Sequence, residues 1–380
     1  MEAAALLEKI DSKRKNKNDA RETFAAVLEG NRVDILPIIF WRSHSEAAGT
    51  AVSTSPGTIY TMKEQFYSKE KMLLGHLEEI AEVAGDTHQG IFCLRPNFGT
   101  IFVPAILGLD FHVPEVEFPW LTEKLNKTEV NKLKIAGLEG SSMMERAIEY
   151  LLYFQANLPD WIHVYLPDTQ GPFDLAHLIY GDDIFLDIYE DPEFVHYLLE
   201  LATTVYIEVT KKLKEVLGEK RNECYHGQAL PRGIYMSNGG TRISEDTATL
   251  ISPAHIDEFV IPYDHRALQA FGGGFVHYCG KHEYLLESYL QLDEVRAINF
   301  GNPEEYDFTK TMDKFLQYNK TYFGLWPKED REDLKGYINR MLEATEGGSR
   351  GMLLHFDQEL FIDYSTEEIL ALWQKMIEQD

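Results

Sequence analysis

The chain has 380 residues, with 36 Lys and Arg against 62 Asp and Glu, a formal charge of −26. With 44% hydrophobic and 26% charged residues it reads as a packed globule, and its acidity argues against nucleic-acid binding and against anionic membrane surfaces. Three cysteines, Cys93, Cys224 and Cys279, exclude a disulfide scaffold.

The N-terminus lacks an uninterrupted apolar stretch, and no run of 18 apolar residues occurs anywhere. No secretory signal or membrane span is therefore expected, and the reducing cytoplasm is the expected location. Residues 1–30 read as an N-terminal helical segment. Short apolar, β-branched runs then recur, each followed by polar residues and a helical stretch. They predict strands near 35–40, 90–94, 162–166, 232–236, 273–277, 295–299, 320–324 and 351–355. Several are too apolar to have one wet face, as in a parallel sheet covered by helices. The stretches 42–61 and 95–143 read as loops or small helical excursions.

Helix ends are also legible. Asp191 with Pro192 offers an N-cap and an N1 proline, and an apolar stripe from Val195 to Leu213 runs up to Gly218. Ser252 and Pro253 open another helix, with Ile256, Phe259, Val260 and Leu268 on its inner side. Ser365 with Glu368 forms a capping-box pattern for the last one. Eight strands alternating with helices predict an α/β chain folded as a single (β/α)8 barrel over residues 1–380, with a doubly wound open sheet as the alternative.

In such a barrel the residues just after each strand share one pocket. These are Arg42 and His44, Arg95 and Asn97, Asp168 and Gln170, Ser237 and Asn238, His277 and Cys279, Asn302, Trp326, and His355 and Asp357. The pair His277 and Cys279 is the sharpest signal. Two residues apart at a strand end, they point to the same side, and an imidazole with a thiolate suits zinc. A His-x-Cys pair more often reflects a buried cysteine and a hydrogen-bonded histidine, so a third ligand is required. His355 and Asp357 at the eighth strand are the candidates, with Asp357 preferred. Glu245 and Asp246 are open to an acid–base role, with a solvated loop face as the preferred reading. The glycine runs Gly239–Gly240 and Gly272–Gly274 fit no nucleotide-binding pattern.

Several blocks in order resemble the uroporphyrinogen decarboxylase superfamily. They are QGPFDLAHLIYG at 170–181, FLDIYEDP at 185–192, LISP at 250–253, FVIPY at 259–263, HYCG at 277–280 and INFGNPE at 298–304. The resemblance covers roughly residues 150–360 and implies a (β/α)8 barrel. The superfamily's decarboxylases hold a tetrapyrrole of many carboxylates with an Arg-rich loop, a key Asp and a Tyr. Here Arg42 is the one arginine between Val33 and Tyr60, Arg95-Pro96-Asn97 stands where the Asp would be, and Leu178 where the Tyr would be.

The other branch, the corrinoid-linked methyltransferases, carries His-x-Cys at this position, with zinc and usually a later Cys. His277 and Cys279 match, while the stretch from Gly351 to Gln358 offers His355, Asp357 or Gln358 instead of the Cys. The resemblance thus implies a substrate-side methyltransferase, or demethylase. It would move a methyl group from a methoxylated or methylated small molecule to the cobalamin of a separate corrinoid protein. Zinc would sit on His277, Cys279 and Asp357. Asp168, His44, His277 and His355 are the candidate acid–base groups. Arg42, Asn97, Gln170, Asn238 and Trp326 would contact substrate. The alternative is a cofactor-independent decarboxylase, of uroporphyrinogen or of a smaller acid. A homodimer stays open.

Overall fold

The computed structural model describes residues 3–14, 20–41, 60–85, 90–133, 135, 138–228 and 232–378. Among the described residues, eight strands make up a (β/α)8 barrel: β1 (Ile38–Trp41), β2 (Ile91–Leu94), β3 (His163–Val164), β4 (Thr241–Ser244), β5 (Gly274–Tyr278), β6 (Val295–Phe300), β7 (Thr321–Leu325) and β8 (Met352–Asp357). Parallel ladders run continuously from β4 through β5, β6, β7 and β8 to β1, and a second joins β2 to β3. Strands β2 and β8 are buried on both faces, which is why they read as apolar runs and not as alternating ones.

The fourth strand differs from the sequence expectation. Residues Arg232–Met236 do form a strand, but it runs antiparallel. It pairs with Cys224–His226 in a hairpin and with Ile91 and Phe92 of β2. Arg232 also donates to the Phe40 carbonyl (3.3 Å), so this strand bridges β2 to β1. The barrel strand proper is β4, which pairs with β5 through Thr241↔Gly274 and Ser244↔His277. The hairpin comes close because residue 233 is glycine: a Cβ there would lie 2.2 Å from the His226 carbonyl oxygen.

Helices cover the strands. In the N-terminal segment the described helices are Ala3–Lys13 and Arg21–Leu28. The excursion after β2 contains a short helix Phe102–Ile106, the small hairpin Phe111–His112 with Trp120–Leu121, and the helix Lys127–Val130. Helix Pro192–Leu217 starts where Asp191 caps Phe194 N and ends where Gly218 turns left-handed (φ 68°). The Ser365–Glu368 capping box is formed. The helix opened by Ser252 breaks at Val260 into Pro253–Phe259 and Ile261–Gln269. Pro262 has no N–H to continue the ladder and its ring clashes with the preceding turn.

Candidate functional site

The ladder register stacks chemistry-bearing residues at one level. Ser244 of β4 aligns with His277 of β5, and His277 with Asn299 of β6. Side chains two residues further on point the same way, which places Asp246 after Ser244 and Cys279 after His277. The Asp246 carboxylate, the His277 ring nitrogens and the Cys279 sulfur offer one donor atom each, all within 4.8 Å of one another. His277 Nε2 lies 3.5 Å from Cys279 Sγ and 3.7 Å from Asp246 Oδ1. With ligand bonds of about 2.0–2.3 Å, a tetrahedral zinc places its donors about 3.3–3.8 Å apart. The imidazole, thiol and carboxylate therefore have the chemistry and spacing for such an ion.

Asn299 sets the tautomer of His277. Its Nδ2 donates to the Phe323 carbonyl, which turns Oδ1 toward His277 Nδ1 (2.5 Å) and toward the Nε2 of Gln228 (3.0 Å). An amide oxygen accepts only, so Nδ1 carries the proton and the Nε2 lone pair faces Cys279 and Asp246. Burial foremost, with the charge of Arg242, lowers His277 to about 4, so the ring is neutral at pH 7. Burial, reinforced by the Asp246 charge, raises the Cys279 thiol to about 12. A coordinated metal ion would deprotonate it.

Asp246 is held by a reciprocal clamp. Glu245 is fully buried, and its carboxylate accepts from Phe173 N (3.0 Å) and Asp174 N (2.9 Å) at the start of helix Pro172–Tyr180. An anion suits these free N–H groups. Asp174 reaches back to accept from Asp246 N (3.0 Å) and Thr247 N (2.8 Å). Asp246 Oδ1 in turn accepts from Cys279 N (2.6 Å), joining the loops after β4 and β5. Behind the clamp Asp264 accepts from Tyr289 (2.7 Å). Burial, then the nearby carboxylates Asp264 and Asp174, drive Glu245 well above the usual carboxylate range.

A second cluster lies beside the first. Asp168, after β3, meets Arg242 of β4 at 2.8 Å and Arg95, just after β2, at 3.4 Å. Burial works against the Asp168 charge, but Arg242 and then Arg95 outweigh it and hold the carboxyl well below its usual range. His226, projecting from the hairpin, is driven well below 6.5 by burial and then by the two arginines. Both clusters line a cavity of about 480 Å³. Asn97, Gln170 and Gln228 contribute polar groups, and Met62, Met72 and Phe118 an apolar wall. Gln170 adopts a left-handed backbone (φ 57°) that a side-chain-bearing residue rarely takes.

The structure thus brings Asp168, Gln170, Asn97, His277 and Cys279 to one cavity. Arg42 and His44 lie outside the described residues. Asp246 occupies the place for which the sequence suggested Asp357. Asp357 instead accepts from Glu359 N (2.9 Å) as the chain leaves β8. His355 is buried within the strand against Phe323, ring centroids 4.6 Å apart, with its Nε2 unpartnered. Trp326 packs among Phe300, Phe308 and Tyr322. Asn238 is exposed, and its carbonyl accepts from Arg296. It precedes β4 and so sits at the opposite barrel end, because the strand before it is antiparallel. Sequence reading missed Asp246, Arg242 and Asn299. The offset of two from Ser244, in register with His277, would have found Asp246 had β4 been placed at 241–244.

Comparison with known proteins agrees with this architecture. The family model for uroporphyrinogen decarboxylase (URO-D) matches residues 19–216. A solved methyltransferase from Methanosarcina mazei superposes with a TM-score of 0.63 at 12% identity, covering 95% of this chain and 98% of that one. No curated protein matches the sequence.

Proposed function

The chain belongs to the uroporphyrinogen decarboxylase family, and within it we propose that this protein is a substrate-side methyltransferase working at the Asp246–His277–Cys279 triad. The observation that carries this reading is the convergence of one oxygen, one nitrogen and one sulfur donor on a point beside a cavity. A solved structure that shares its fold is itself a methyltransferase.

In this reading the three side chains hold zinc, which when bound acts as a Lewis acid on the leaving atom. The chain's own residues prepare the site. Asn299 presents the Nε2 lone pair of His277, and the Glu245–Asp174 clamp keeps Asp246 within reach. Arg242 places positive charge next to the triad, where negative charge develops as the bond from oxygen or nitrogen to methyl breaks. The bonding pair stays on the leaving atom. The acceptor would be a reduced corrinoid on a separate protein, which would supply the electron pair for the new bond to methyl. The apolar wall of Met62, Met72 and Phe118 limits water.

The second reading, a decarboxylase, is favoured by the Arg95–Arg242 pair, which suits an acid substrate. Against a tetrapyrrole of many carboxylates stands the sharing of both guanidinium groups by Asp168. Elemental analysis decides between the readings. One zinc per chain, lost in Cys279→Ser and in Asp246→Ala, together with methyl transfer from a methoxylated compound to a corrinoid protein, is the expected result. Metal-free protein that binds uroporphyrinogen and releases CO2 would establish the decarboxylase.

A further inference from the structure

We propose that His226 donates its Nε2 hydrogen to the leaving oxygen of the substrate, as a neutral imidazole that holds the developing charge without giving up its proton. This rests on reading the cavity as the site of methyl transfer.

The tautomer is the first argument. His226 Nδ1 lies 2.9 Å from Gln228 N. A backbone N–H can only donate, so Nδ1 carries the lone pair and the proton of the ring sits on Nε2. Burial and the nearby guanidinium groups of Arg242 and Arg95 keep the ring from taking a second proton at pH 7. With a hydrogen on Nε2, that atom has no lone pair to offer a metal.

The open donor is the second. Among the described residues Gln228 N is the one hydrogen-bond partner of His226. The residue is 8% exposed and lines the cavity. Its Nε2 is open to that space, unlike the sealed Nε2 of His355. A donor so nearly buried calls for an acceptor, and an oxygen of the bound substrate supplies one.

Position is the third. The ring packs against Tyr165 and Phe275, with centroids 4.8 and 4.9 Å away. Phe275 stands two residues before His277 on β5, so their side chains point the same way and His226 lies one layer beneath the triad. Gln228 also ties the two histidines together, because its Nε2 donates to Asn299 Oδ1 (3.0 Å), the acceptor for His277 Nδ1. One residue thus supports opposite tautomers: a lone pair at His277 Nε2 and a hydrogen at His226 Nε2. As the bond from oxygen to methyl breaks, its electron pair stays on oxygen, and the methyl carbon takes its new bond from the electron pair of the acceptor. The hydrogen bond from His226 strengthens meanwhile. The proton stays on nitrogen, since a neutral imidazole is a far weaker acid than a phenol. The substrates this suits are aryl methyl ethers, whose oxygen departs as a stable phenolate.

The test combines nitrogen NMR of histidine-labelled protein with equilibrium binding of phenol against toluene. A chelator is present throughout, so that a metal at the triad cannot supply the preference, and no methyl transfer is needed. The free protein is expected to show His226 protonated on Nε2 alone. That proton should move downfield on adding phenol, and further with 4-nitrophenol. Phenol is expected to bind about tenfold tighter than toluene. His226→Phe keeps an aromatic ring between Tyr165 and Phe275 and should remove the preference, while His226→Gln, which keeps an N–H donor, should retain part of it. A protein with these properties that transfers no methyl group would sink the proposed activity and still bear out the donor. His226 protonated on Nδ1 or on both nitrogens, phenol that binds no tighter than toluene, or a preference that survives His226→Phe would overturn the proposal.

Discussion

Replacing Asn299 by alanine isolates the part of the site that touches no metal. Asn299 Oδ1 contacts His277 Nδ1 at 2.5 Å, and its Nδ2 donates to the Phe323 carbonyl. Removing the acceptor frees the ring to rotate and to place its proton on Nε2, which would then be unable to ligate. Loss of such a supporting partner weakens metal affinity about 10–100-fold, or about 1.4–2.7 kcal/mol. A separate cost of about 1–3 kcal/mol falls on folding, because the buried Phe323 carbonyl loses its donor. Two assays divide these effects. Competition for zinc against a chromophoric chelator reads the first, and denaturant unfolding of metal-free protein reads the second. Asn299→Asp supplies the control: it keeps an acceptor for Nδ1 and should retain tight zinc binding, yet it loses the donor to Phe323 and should unfold more easily. Zinc affinity unchanged in Asn299→Ala would refute the tautomer argument, and with it the role assigned to β6.

Three further outcomes follow from the geometry. Glu245→Ala leaves Phe173 N and Asp174 N unpaired in the interior; at about 1–3 kcal/mol for each orphaned donor, it should lower unfolding stability by about 2–6 kcal/mol, and zinc binding should weaken as Asp246 loosens. Gly233→Ala pushes a Cβ against the His226 carbonyl and Cys93 Sγ; calorimetric melting should show a loss of about 1–3 kcal/mol or more, and hydrogen exchange should locate it in the hairpin. Burial lowers His355 from 6.5 to about 4. The unfolded chain therefore takes up a proton between pH 6.5 and 4 that the folded chain refuses, and stability falls as pH falls through that window, by about 3 kcal/mol. Urea unfolding at pH 7 and pH 4 should show a correspondingly smaller drop in His355→Leu; an identical drop would mean that His355 is protonated in the native state.

Much of the fold is written locally in the chain. The helix from Pro192 to Leu217 needs only its cap, its proline, its apolar stripe and the glycine that ends it, all within reach of one another in sequence. Seven of the eight barrel strands announce themselves as short apolar runs for the same reason. The His277 and Cys279 pair is visible because a spacing of two on a strand is itself a statement about direction. The rest depends on pairing across the barrel. The runs at 232–236 and 241–244 compete for the fourth position, and the apolar one reads as the better strand. It loses because β2 takes it as an antiparallel neighbour, while Thr241–Ser244, carrying an arginine, pairs with β5. That arginine is tolerable inside only because Asp168, 74 residues away in sequence, meets it there. Asp246 likewise becomes a partner for His277 only when Glu245 and Asp174 lock two loops together, 71 and 72 residues apart. Periodicity and capping are properties of neighbouring residues, and the sequence carries them openly. Which charge faces which is a long-range property, and the pairing of distant strands and loops decided it.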